Sequence, residues 1–207
     1  EWPDLSGNGR SATQGDSGVQ PAFRTNAQNG LPAVHFDQDR LGFETFDASL
    51  TATEFSFFAV VMVSDERGGG QWQSAIYVEE QGVDDRNYIA YQHRNAPYGY
   101  VFDPFPPGGW ASVEADVNEF ALLSAILNSP EQRLLVINGA DSVTWDQEYE
   151  GVPPTQFNLG YRDGNTNDYL IGDIAEIVMY GRALNANERA QVEAYLDVFG
   201  PGQGLLV

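Results

Sequence analysis

The chain has 207 residues, and its thirty acidic residues against ten basic ones give a formal charge of −20; every base is Arg. That acidic field repels phosphate backbones and anionic membrane surfaces, which makes nucleic acid a poor partner and cations welcome ones. There is no cysteine, so disulfides and thiolate metal sites are excluded, and no apolar run reaches the roughly 18–20 residues that a membrane helix needs.

In chain order, Trp2 to Ala12 is a turn-rich loop around Ser6-Gly7-Asn8-Gly9. Short apolar or alternating runs between turn residues then predict strands at Ala33–Phe36, Leu41–Phe46, Phe55–Val63, Ser74–Val78, Tyr88–Gln92, Phe120–Leu127, Arg133–Asn138, Phe157–Tyr161 and Leu170–Tyr180. Phe55–Val63 is apolar almost throughout, which predicts a central strand covered on both faces. Asn138-Gly139 is a hairpin-closing dipeptide. Simple alternation along the last strand sets Asp173 with Ala175 and Ile177 on one face, and Glu176 with Ile174 and Val178 on the other. One helix is predicted from Asn185, an N-cap with Glu188 in the capping-box position; it packs Val192, Tyr195, Leu196 and Phe199 and stops at Gly200-Pro201. The sum is an all-β, two-sheet antiparallel sandwich with one short C-terminal helix, a single domain over residues 1–207, since sandwiches reach roughly 200–250 residues without dividing. Glu1 is not preceded by Met or a basic leader, so the chain reads as a processed or excised piece.

Candidate functional residues concentrate between positions 91 and 110, a Pro- and Gly-rich aromatic stretch read largely as loop. Tyr98, Tyr100, Trp110 and, from a separate loop, Trp72 offer ring faces that stack on the C–H faces of sugars, while Arg94, Asn95 and Asp103 reach hydroxyls. The competing reading assigns half of these rings to the core. For metal, Asp4 and Asn8 of the opening loop together with Asp173 of the last strand form a candidate Ca²⁺ clip between the two ends of the chain. Asp163 to Asp168 alternates oxygen ligands, but its Asp, Asn and Gly suit a plain turn better. His35 lies in a strand pattern as a structural histidine, and with His93 the only other one, no zinc or nucleophilic centre is visible.

Three segments carry a family resemblance. Ile171 to Tyr180 runs into Gly181-Arg-Ala-Leu-Asn and the helix, Trp2-Pro-Asp-Leu-Ser-Gly-Asn-Gly opens the chain, and Asn29 to Asp37 leads into the first strand. Phe120-Ala-Leu-Leu-Ser124 followed by Leu135-Val-Ile-Asn-Gly139 adds a central hairpin. Together these resemble the laminin G-like, concanavalin A-like jelly-roll domains of secreted bacterial proteins. The resemblance implies a non-catalytic carbohydrate-binding or adhesive module, often calcium-supported, on a secreted or surface protein whose partners are glycans or polysaccharides and other extracellular proteins. It also raises two rivals. Glu114, Asp116 and Glu119 match the Glu-x-Asp-x-x-Glu pattern of retaining, laminarinase-type glycoside hydrolases, in which two carboxyls about 5–5.5 Å apart act as nucleophile and acid. A purely structural or protein-binding domain of an extracellular assembly is the other. The missing lysines and the acid excess further suggest adaptation to salt, where screening removes self-repulsion.

Overall fold

The computed structural model describes residues 1–43, 54–65, 72–79, 86–92, 99–104, 111–128, 132–139, 141–145, 156–161 and 168–199, with backbone alone for 78–79, 86–92, 103–104, 111, 132–133, 141–145, 156 and 199. Two seven-stranded antiparallel sheets face each other. The first has the order β1 (Ala12–Thr13), β4 (Leu41–Phe43), β13 (Gln156–Leu159), β6 (Trp72–Glu79), β7 (Arg86–Gln92), β8 (Gly99–Pro104) and β9 (Ala111–Glu114). The second has the order β12 (Asp141–Trp145), β11 (Gln132–Ile137), β10 (Phe120–Asn128), β5 (Phe55–Val63), β14 (Ile171–Tyr180), β3 (Leu31–Asp37) and β2 (Ala22–Gln28).

Burial follows from the two-residue period of the strands. Phe55, Phe57, Ala59, Val61 and Val63 of β5 join Ala121, Leu123, Ala125 and Leu127 of β10 on the inner face, where they meet Ile76, Tyr100, Phe102, Phe157 and Leu159 from the opposite sheet. The alternate residues Phe58 and Val60, with Phe120 and Ile126, build a second cluster on the outer face that Leu184 and Leu196 cover. The unbroken apolar run of β5 is thereby explained: it lies between β10 and β14 and has packed layers on both sides.

The covering element is α1 (Ala186–Leu196), which starts at a complete capping box: the Asn185 side chain accepts from the N–H groups of Asn187 and Glu188, and Glu188 accepts from the N–H of Asn185. Ser124 Oγ donates to Glu193 at 2.8 Å, and Ser56 Oγ bridges the carbonyl of Arg182 and the N–H of Leu184, pinning the helix and its approach to the outer face. Replacing Asn185 with Ala removes an N-cap and lowers stability by about 1 kcal/mol, read as a shift in urea midpoint at unchanged m-value. Val192 and Leu196 pack as the helical spacing requires, whereas Tyr195 is 63% exposed and contributes nothing to the interface. Among the described residues, no helix is long and apolar enough to cross a membrane.

Simple alternation fails in β14. The pairing with β5 slips between Ile174 and Glu176, so one extra residue is accommodated as a bulge. Ile174, Ile177 and Met179 consequently share the inner core, and Ala175, Val178 and Tyr180 the outer cluster, instead of Ile177 lying with Asp173. Five strands have no counterpart among the predicted runs. Four of them, β1, β9, β12 and β2, are the edges of the two sheets, where burial on one side at most leaves a weak pattern; the Ala-Phe-Arg-Thr-Asn-Ala-Gln of β2 has five exposed residues. The fifth, β8, hides inside the aromatic stretch read as loop.

Candidate functional site

The register of the first sheet decides where the predicted sugar-binding residues stand. Trp72, Gln92, Gly99 and Glu114 are successive cross-strand partners, forming one row across β6, β7, β8 and β9. A second row runs Gly42, Asn158, Tyr77, Tyr88 and Asp103 across β4, β13, β6, β7 and β8. Both rows lie on the outer face, because the residue positions between them, such as Ile76 and Phe102, belong to the inter-sheet core. Four residues along β8 separate the rows, roughly 13 Å at strand rise.

That spacing divides the predicted site. Arg94, Asn95 and Tyr98 belong to the connection between Gln92 and Gly99, at the end of the sheet where Trp72 lies; Trp110 immediately precedes β9, at the end where Asp103 lies. Positions 94, 95, 98 and 110 are outside the described residues, as are His93 and positions 163–167 of the Asp163–Asp168 segment. Tyr100 is corrected outright. Its ring is fully buried in the inter-sheet core and its hydroxyl donates to the carbonyl of Val61 at 3.2 Å, so no ring face is left for a sugar.

Trp72 keeps its candidacy: it is half-buried and packs on Tyr77, which is 1% exposed. Such seating fixes an indole while leaving part of it at the surface, as a stacking platform requires. Glu114, in the same row, is exposed. The second row has a polar residue no sequence pattern singles out. Asn158 is 7% exposed, and its amide nitrogen has no hydrogen-bond partner among the described residues. A buried donor left unpaired costs about 1–3 kcal/mol, which marks the position as built for something other than stability. Alternation along Phe157-Asn158-Leu159 does point Asn158 outward, but nothing in that triplet says that it is covered.

The hydrolase constellation does not assemble. Only Glu114 is in β9; Asp116 and Glu119 lie on the crossing to the other sheet, where Asn118 has a positive φ of 62° and donates its N–H to the carbonyl of Val63. A Glu-x-Asp-x-x-Glu pair needs one continuous strand beneath both acids, and here the strand ends at the first of them.

The residues proposed for calcium are also kept apart by their contacts. Asp173 is buried and spends one oxygen on Arg24 Nη1 at 3.2 Å and the other on His35 Nδ1 at 3.0 Å, an arrangement that satisfies the histidine. Asp4 accepts from the N–H of Ser6 at 2.8 Å and from the N–H of Arg10 at 2.9 Å, so both of its oxygens close its own loop. The opening loop does meet the last strand, but the cleft that Asp4 and Asn8 line is shared with Glu176 rather than Asp173. Among the described residues no three His, Asp or Glu side chains gather as a metal site, and these donors do not fit a Ca²⁺ ion that wants 6–8 oxygens.

Hydrogen bonds from Ser6 and from the Arg10 and Ser6 N–H groups hold the Asp4 carboxyl down at about 2, against an ordinary 3.8. A folded-state value below the unfolded one gives stability that is present above about pH 4 and lost as the pH falls through the folded value. Asp4→Asn is therefore expected to lower the melting temperature by a few degrees near neutrality, on the basis of roughly 2–4 °C per kcal/mol, with the difference from wild type vanishing near pH 2. A constant difference across that range would show that the charge is irrelevant.

No protein-family profile matches the sequence, and no curated protein matches it. Solved structures do match the fold. The Trypanosoma rangeli sialidase in complex with sialic acid superimposes with a TM-score of 0.68 at 12% identity, over 94% of this chain and 31% of that one. The binding domain of botulinum neurotoxin serotype D gives 0.67 at 14% identity, over 93% of this chain and 48% of that one. Domain 4 of AbnA, a GH43 extracellular arabinanase from Geobacillus stearothermophilus, in complex with arabinotriose, gives 0.66 at 13% identity and covers 93% of each chain. The chain thus spans about a third of the sialidase and about half of the toxin fragment. At these identities the likeness is one of fold: a β-sandwich of the kind found in carbohydrate-binding domains.

Proposed function

We propose that this chain is a single-domain, non-catalytic glycan-binding module of the laminin G-like class, carried by a secreted or cell-surface protein, and that it binds saccharide on the outer face of the first sheet. The observation that carries the reading is Trp72, an indole partly open to solvent, seated on buried Tyr77 and level with the exposed carboxylate of Glu114. Indole and sugar C–H faces stack well, and Glu114, three strand spacings or roughly 14 Å along the row, accepts hydroxyl hydrogens from a neighbouring unit of the same saccharide chain. Arg94, Asn95 and Tyr98, which lie outside the described residues, are the sequence candidates for its polar rim, since they fall between Gln92 and Gly99 along the chain. The second row, at the backbone positions of Asn158, Tyr77, Tyr88 and Asp103, runs roughly 13 Å away, and the span between the rows suits an oligosaccharide better than a single ring. The sandwich neighbour in complex with arabinotriose, matched along nearly its whole length, makes pentose and hexose oligomers the first ligands to try.

The acid excess fits a partner without phosphate and an extracellular or saline setting. A glycan array followed by reducing-end analysis tests the reading. Binding without release of reducing ends is expected; release that Glu114→Gln abolishes would instead establish the hydrolase, and the absence of any glycan ligand would favour a structural role. Melting with and without chelator is expected to show no shift, because the donor set does not fit calcium.

A further inference from the structure

Away from the first sheet's outer face, apolar exposure, concavity and a spare charge coincide once among the described residues. The opening loop lies across the edge where the two sheets part, leaving clefts of about 330 and 390 Å³, and Trp2, Pro3, Leu5 and Glu176 line both of them. Two of the most exposed large apolar side chains stand at the mouth, Leu5 at 87% and Phe23 at 69%. The β14 bulge falls immediately before Glu176, where Ala175 is skipped and the pairing with β5 resumes at Glu176 and Val60.

Glu176 is partly buried and has neither a hydrogen-bond nor an ion-pair partner among the described residues. Burial alone pushes its carboxyl above the usual range, with no neighbouring cation to offset the cost. Its neighbours in the cleft do not serve it. Asp4 is fully engaged within its loop, and the charge of Arg10 acts on Asp4. Three features together select a ligand: an uncompensated carboxylate in a partly dehydrated place, an indole beside it, and apolar walls open at the mouth.

We propose that this cleft binds an apolar ammonium, a protonated amine on an aliphatic or aromatic body, with the nitrogen on Glu176 and the body among Trp2, Leu5 and Phe23. A cation restores the ionised carboxylate that burial disfavours. The indole adds a cation–π contact, and the charge of −20 draws cations from a distance. A bare divalent metal is the poorer occupant, because one free carboxylate does not make a 6–8-oxygen shell.

The test titrates the intact chain with n-hexylammonium chloride, 1-hexanol and sodium hexanoate at neutral pH and matched ionic strength, following the indole and amide NMR signals. Hexylammonium is expected to bind about fivefold or more tightly than hexanol, and hexanoate more weakly than either. Glu176→Gln should bring hexylammonium down to the level of hexanol, while Leu5→Ala, which trims a side chain already in water, should weaken both to the same degree. Melting of each variant checks that the fold survives. Equal affinities of the wild type for hexylammonium and hexanol, an unchanged preference in Glu176→Gln, or displacement of hexylammonium by CaCl₂ beyond that by NaCl of equal ionic strength would overturn the proposal.

Discussion

Gly160→Ala is expected to destabilise the protein by about 3–4 kcal/mol, combining a positive-φ penalty with overpacking in a core that cannot yield. Gly160 has a φ of 82°, and a Cβ there would overlap the ring of Phe36 and approach the carbonyl of Asp39 to 2.8 Å. Phe36 is itself fully buried in the inter-sheet core, so its ring has nowhere to retreat. The backbone at this position is equally committed: its N–H donates to the carbonyl of Ala75 in the first sheet at 2.9 Å, and its carbonyl accepts from the N–H of Leu170 at 2.8 Å, at the entry to β14. Gly15→Ala is the control. A Cβ at Gly15 would meet no atom within 4 Å and the residue has no positive φ, so its substitution should leave stability within about 0.5 kcal/mol of wild type. If the two variants melted together, the close approach at Gly160 would be wrong.

Gln73→Ala ranks second, at about 3 kcal/mol, since it removes a buried side chain that bonds two backbone groups at once. The buried Gln73 side chain donates from Nε2 to the carbonyl of Ser64 at 2.9 Å and accepts at Oε1 from the N–H of Ile171 at 2.8 Å. It thereby ties β6 of the first sheet to the end of β5 and the start of β14 in the second. A methyl group in its place leaves the Ile171 N–H without that acceptor and creates a void. Gln73→Glu retains the acceptor but buries a carboxylate against the Ser64 carbonyl oxygen, and should be at least as destabilising as Ala near neutral pH. Hydrogen exchange at Ile171 reads the clamp directly: its protection should drop in Gln73→Ala further than that of Ile126 in β10, which pairs with Ser56 at the opposite end of β5. Uniform loss across both strands would mean that the clamp has no local meaning.

What the sequence discloses follows the strength of each physical signal. An apolar run as long as Phe55–Val63 has one sensible location, and a capping box such as Asn185 with Glu188 encodes its own geometry within four residues. The edge strand β2 is illegible because its side chains face water at most positions and so carry no alternation. Proximity along the chain groups the binding residues, but Asp103 and the 93–98 connection lie at opposite ends of β8, a fact that belongs to hydrogen-bond register and not to local composition. Tyr100 shows the same limit: one ring of a Tyr-Gly-Tyr triplet faces the core because β8 alternates through it. Alternation puts Glu176 in the wrong company for a different reason, since a bulge is invisible to a two-residue period. His35 reads correctly as structural, and its partner is the very Asp173 that a calcium clip requires.

The Gln73 side chain and the Gly160 backbone both bond β6 to neighbouring segments beneath the outer face of the first sheet, the kind of support a preorganised binding surface requires. Trp72 is the proposed anchor because its support, Tyr77, belongs to β6 in the middle of the sheet.

The most direct test is a paired calorimetric titration of the best array ligand into wild type and Trp72→Ala, with circular dichroism confirming that both are folded. A stacking platform at Trp72 predicts a loss of about 2 kcal/mol, near thirtyfold in Kd, in the variant. An affinity within twofold of wild type in a folded Trp72→Ala protein would contradict it.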